Sequence, residues 1–299
     1  MKINPICRRE TRAAARSIWL PAMITAFNSI LALVALLSMY LNVAQIKLTA
    51  EIQYRRFLEL YVFTASIEFF ILVLLMPALT AGAVSGERER QTLDIMMTTR
   101  VSRWDVVSGK LSSSFMVMFL VVISSLPVMA LVFVYGGIQW LDLGSLFLCY
   151  MVSALLAGSV GIFCSALFKR STVATVIAYI MTAGIMLGTY AANMLASSFT
   201  GLRLSAGGMM IRNAAEQNGS GSLLYLLLIN PSSTFIMILG GQMNASQNHI
   251  ESWFGARPSN MLTEHWVPVS IAVQLAAAVL LITAAVKMMD RERAGGKYA

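Results

Sequence analysis

Long apolar runs separated by short polar connections set the pattern of this chain. Six runs, at about 19–43, 60–86, 106–135, 141–168, 172–195 and 266–288, contain few charges. About 20 apolar residues at 1.5 Å rise cross a hydrocarbon core of about 30 Å, so each run predicts a spanning helix. The first follows the polar start MKINPICRRETRAAARS. It is too long for the apolar core of a signal peptide, and Tyr40-Leu41-Asn42 is a poor cleavage site, so it reads as a span. A shorter apolar piece, 223–240, carries Asn230-Pro231-Ser232-Ser233 in its middle. It sits at the lower length limit for a span, and a re-entrant or interfacial helix pair fits it better than a crossing. The expected fold class is an all-α membrane protein, with one domain over 1–299 and six transmembrane helices.

Composition agrees: 58% of the 299 residues are hydrophobic and 12% are charged, against about 25% charged in a soluble domain. The net charge of +8 invites a nucleic-acid reading, but its placement argues against one. Of the lysines and arginines, only Lys47, Arg55, Arg56, Arg203, Arg212 and Arg257 fall on the outer side of a six-span topology. The rest lie in segments that the positive-inside rule assigns to the cytoplasm, both chain ends included. A seventh span would put Lys287, Arg291, Arg293 and Lys297 outside, against that rule. Cys7, Cys149 and Cys164 are scattered, without the paired spacing of a zinc or redox site. His249 and His265 also lack metal-ligand spacing, and no metal site is expected.

The most polar stretch lies between the second and third runs. Glu87-Arg88-Glu89-Arg90 packs four charges at the mouth of a span, and Thr92, Leu93, Met96 and Met97 follow at helical spacing. A short helix with one apolar and one charged face suits a groove on a soluble partner. A solvated loop or a helix gripping anionic lipid gives the same pattern.

This stretch resembles the cytoplasmic loop of the ABC-2 type permeases, the membrane subunits of ABC transporters. The family pattern is met at Pro77, Ala78, Ala81, Glu87, Arg88, Glu89, Thr92, Leu93, Asp94, Thr98, Ser102, Gly109 and Lys110. It is departed from at Gln91, where Gly is usual, and at Arg100, where Pro is common. Gln91 is expected to extend the helix, since Gly is a poor helix former. The start, Asn4-Pro5 through Arg8-Arg9-Glu10, resembles the family's amphipathic elbow helix, and Asn230-Pro231 is a family habit. The resemblance implies that 87–99 is a coupling helix seated in a cytoplasmic ABC ATPase subunit. Glu87, Arg88, Glu89, Arg90, Thr92, Leu93, Asp94, Met96 and Met97 would carry that contact. It also implies a second permease chain, identical or a sister, an exporting role, and the bacterial cytoplasmic membrane as the location. ATP and Mg would be bound by the partner, with no cofactor in this chain. The only near match to a P-loop is Gly109-Lys110, with Trp104 and Leu111 at the positions of the first Gly and the Ser or Thr, so no ATPase motif is present.

Within the spans, Glu68 stands about eight residues from the outer end of the second run, roughly 12 Å deep. A carboxyl there is a candidate for a substrate path or a hydrogen-bonded structural group. Pro77 and Pro127 predict kinks. Gly158, Ser159, Gly161 and Ser165, and Gly184 with Gly188, form small-residue faces that permit close helix contact. A secondary transporter or a membrane scaffold is the alternative function. Neither an inverted repeat nor a spread of ionisable residues along the spans supports the former.

Overall fold

The computed structural model describes residues 5–49, 54–92, 102–136, 139–206, 221–243 and 261–295. Their regular structure is entirely helical. The order is α1 (Pro5–Arg16), α2 (Trp19–Thr49), α3 (Tyr54–Ala81), α4 (Ser85–Glu89), α5 (Arg103–Gly136), α6 (Trp140–Leu167) and α7 (Ser171–Ala183). A π-helical turn, Gly184–Gly188, runs into α8 (Thr189–Ala206). A 3-10 helix, Gly221–Ile229, precedes α9 (Pro231–Gln242), α10 (Met261–Glu264) and α11 (Trp266–Gly295).

Six of these segments are long and apolar enough to cross a membrane: α2, α3, α5, α6, α7 continued into α8, and α11. The 3-10 helix and α9 are bent by 91° about Asn230. A 3-10 helix rises about 2.0 Å per residue and an α-helix 1.5 Å, so each half reaches about 18 Å, short of the apolar core. The helices run on through Pro77 in α3 and Pro127 in α5.

The helices pack around α6, which meets α3, α5, α7, α9 and α11. Its run of Ala154, Ala157, Gly158, Ser159, Gly161, Ser165 and Ala166 is buried. Small side chains let backbones approach, and in a bilayer van der Waals packing of this kind replaces the hydrophobic drive. Gly161 needs to be glycine: a Cβ there would collide with the Thr80 side chain and lie 3.3 Å from the Ala81 amide nitrogen. The main apolar cluster joins Phe27 and Leu31 of α2 to Phe69, Leu72 and Met76 of α3, and to Met118, Tyr150 and Phe235. Phe69 and Phe235 stack with centroids 4.3 Å apart. A second cluster, Val84, Val107, Ile162, Ala166, Ala285 and Met289, closes the end of the bundle where α3 ends, α5 begins and α11 finishes. That end carries α1 and α4.

Candidate functional site

The site is built where the chain leaves α3. After Ala81 the backbone turns through 82–84 and re-enters a helix for the five residues of α4. The first amides of a helix have no partner within it, and here α6 supplies one. Ser165 Oγ accepts from the Val84 amide at 2.8 Å and the Ser85 amide at 3.0 Å. Val84, Ser85 and Ser165 are all fully buried. The turn is thus pinned to the end of α6 before the charged residues begin.

Those residues point in two directions. Glu87 faces α1 and α5: its Oε1 accepts from Lys110 Nζ at 2.8 Å and from Arg9 at 3.4 Å. Glu10 completes the group, 3.6 Å from Lys110 Nζ and 3.0 Å from Arg9. The Lys110 side chain is only 7% exposed, and a cation so placed needs paired carboxylates to offset its lost hydration. A cavity of about 680 Å³ opens beside the group, lined by Arg9, Glu10, Glu87, Arg90, Thr92 and Lys110 among others.

Arg88 and Glu89 face the connection between α6 and α7. The Arg88 guanidinium donates to the Phe168 and Ala166 carbonyls, both at 3.3 Å. These lie at the end of α6, where unpaired carbonyls and the helix dipole favour a cation. Glu89 sits at the other pole. Its carboxylate accepts from the Ser171 amide at 3.0 Å and the Ser171 hydroxyl at 2.6 Å, at the start of α7, where an anion is favoured. These hydrogen bonds, seconded by Arg170 and Arg90, hold the Glu89 carboxyl below the ordinary 4.5 of a glutamate. Each charge thus meets the helix end of opposite sign, and the pair clips the α6–α7 corner to α4.

The helix then stops. Arg90 is the C-terminal cap of α4, and Gln91 has φ 56° in the left-handed region, its amide donating to the Arg88 carbonyl at 3.0 Å. Gln91 therefore ends the helix, contrary to the expectation that it would extend it. A helix commonly closes on one left-handed residue, for which Gly is the best suited and glutamine a poor choice. The expected single helix over 87–99 is accordingly broken at Arg90-Gln91. Arg90, Gln91 and Thr92 are exposed, and the Thr92 hydroxyl donates back to the Glu87 carbonyl at 3.2 Å. Leu93, Asp94, Met96 and Met97 lie outside the described residues.

A family model described as ABC-2 family transporter protein matches residues 5–291, nearly the whole chain. The chain belongs to the ABC-2 family. None of the curated proteins compared with it matches. It is accordingly the permease of an ABC transporter, a membrane transport component rather than a catalytic domain, in a family that works with ABC ATPase subunits.

The permease keeps its other sequence candidate well apart from this cluster. Glu68 is 1% exposed in the core, where Ser125 Oγ of α5 donates to its carboxyl. Tyr150 of α6 reaches the same carboxyl and donates to the Ala65 carbonyl at 2.9 Å. Beyond it, the Tyr61 hydroxyl donates to Gln242 at 3.0 Å, and Gln242 donates to the Asp142 carbonyl at 2.8 Å.

Sequence reasoning passed over four residues that build the charged site. Lys110 registered only as a family match and a failed P-loop, although a lysine seven residues into a span needs a partner as much as Glu68 does. Ser165 read as one of a small-residue face, and Ser171 gave no signal. Arg9, part of the basic start, reaches across to the Glu87 carboxylate of α4.

Proposed function

We propose that this permease is the membrane half of an ATP-driven exporter in the bacterial cytoplasmic membrane, served by a separate cytoplasmic ABC ATPase that binds ATP and Mg. Both chain ends lie on the cytoplasmic side with α1, which serves as the elbow helix. A second permease chain, identical or a sister, completes the pathway. Gly184 and Gly188, which face open space in the single chain, support that pairing. The segment after α4, through Thr92, Leu93, Asp94, Met96 and Met97, is the part that docks.

The observation that carries the reading is the two-sided grip on α4. A segment whose tip touches a moving partner transmits force only if its base is fixed to the spans. Glu87 ties it to α1 and α5, and Arg88 and Glu89 tie it to α6 and α7. Arg90 and Thr92, beyond the grip, are free to meet the ATPase. Closure of the ATPase around ATP would then pull both sides of the bundle together. In this scheme Glu68 marks the path: α3 parting from α5 and α6 would uncover a carboxyl that is sealed in the present conformation.

The test is co-purification of the tagged chain with soluble proteins from its own cells in mild detergent. A crosslinker placed at Thr92→Cys should trap a stoichiometric ATPase, and Arg90→Glu should weaken its capture. A chain that emerges without an ATPase after crosslinking would favour the ATP-independent transporter, with Glu68 as the next residue to change.

A further inference from the structure

The four arginines of α1 have two separate destinies. Arg9, although 61% exposed, is engaged by the carboxylates of Glu87 and Glu10. Arg8, Arg12 and Arg16 are exposed, and among the described residues they make no ion pair. Their four-residue spacing puts them in one row along the helix, successive members about 6 Å apart. The opposite side of α1 is committed to the protein: Ile6 is 5% exposed, and Glu10 reaches Lys110 in α5. The row therefore faces away from the bundle.

The depth of α1 follows from its neighbours. The cavity beside it is lined by Arg9, Glu10 and Ala13 of α1, by Leu79 near the end of α3, and by Gly82 and Ala83 of the turn that follows. Lys110, its ion-pair partner, stands about 10 Å inside α5 at helical rise. Three residues past Arg16, α2 opens on Trp19, which is 82% exposed, preceded by Ile18 at 83%. Exposed tryptophans at the mouth of a span settle at headgroup level. A helix joined to that tryptophan and packed against α5 lies at the same level, and what meets its outer side there is lipid headgroup.

We propose that Arg8, Arg12 and Arg16 form a binding surface for anionic phospholipid, one face of α1 holding the protein while the other holds a row of headgroup phosphates. Guanidinium offers planar paired donors to phosphate oxygens, which makes arginine well suited to the task. The surface would anchor α1 independently of any ATPase contact.

The full-length chain, purified in mixed micelles of phosphatidylcholine, would be titrated with phosphatidylglycerol, and retained lipid counted by native mass spectrometry. We expect phosphatidylglycerol to be retained preferentially. The preference should fall about fivefold for each arginine changed to glutamine, since each basic residue near an anionic surface contributes about that factor. It should also fade as salt is raised. The triple change to lysine should keep most of it, and serves as the folding control if the triple glutamine variant aggregates. An unchanged preference in R8Q/R12Q/R16Q would overturn the assignment. So would a variant whose lipid preference is intact but whose ATPase capture is lost, because the row would then face the soluble partner.

Discussion

Gln91 is the residue whose conformation argues most directly against its identity. A side chain in the left-handed region costs about 1–2 kcal/mol relative to the ordinary helical region, and glycine returns part of that gain through its freer unfolded chain. Gln91→Gly should therefore raise the thermal midpoint by about 1–3 °C, as read by detergent-solubilised melting; a lower midpoint would mean that the side chain has a partner worth more than the strain. Two residues earlier, Glu89 predicts a pH dependence. Its carboxyl titrates below the ordinary value in the folded protein because Ser171 hydrogen-bonds the charged form. The contribution is thus present in full above about 4.5 and is lost as pH falls through the lower, folded value. Melting curves of the parent and of Glu89→Gln should converge as the pH is taken below about 4.5, from a gap that is constant near neutrality.

Among the elements, the Asn-Pro pair shows how a short motif organises a bent helix. Pro231 opens α9, where its missing amide costs nothing. Asn230 caps that helix, its Oδ1 accepting from the Ser232 amide at 2.9 Å. Its Nδ2 donates to the Met186 carbonyl at 2.9 Å and to Thr189 Oγ1 at 2.7 Å, at the π-helical turn whose altered hydrogen-bond register frees a carbonyl. One amide thus ties the bend to the fifth span. Asn230→Ala should cost about 2–4 kcal/mol, combining a lost cap with a buried carbonyl left without its donor. Ser232→Ala should cost less than half as much in the same melts. The bend was legible in the sequence because Asn230-Pro231 sets a capping residue before a proline at the first helical position, a helix-start signal that Pro77 and Pro127 lack. The π turn was not: Gly184 and Gly188 read as a packing motif, and the register slip depends on a partner 44 residues away. One helix start went unread: Ser102 and Asp105, three residues apart, form a capping box, the Asp105 amide donating to Ser102 Oγ at 3.1 Å.

For the molecule as a whole, the spans were read from length and hydropathy alone, and α6 at their centre was foreshadowed only by its small residues. Gly161 tests that centre. Valine there would force its side chain into Thr80 across the seam between α3 and α6. Overpacking at a closed contact costs about 1–3 kcal/mol, and Gly161→Val should give an aggregated peak on size exclusion, with Gly144→Val, which has open space, as the tolerated control. The charged cluster was found in sequence by its density, yet its division was hidden. Which of four neighbouring charges meets which helix end depends on the turn at 82–84, and no periodicity encodes that.

The clip between α4 and the α6–α7 corner also bears on how permeases can be recombined. A chimera made to answer a different ATPase would ordinarily exchange only the loop after α3. Here such a graft would bring an arginine and a glutamate whose fittings, the Ala166 and Phe168 carbonyls and Ser171, lie some eighty positions downstream. The two stretches are one interchangeable part, and a functional swap has to carry both.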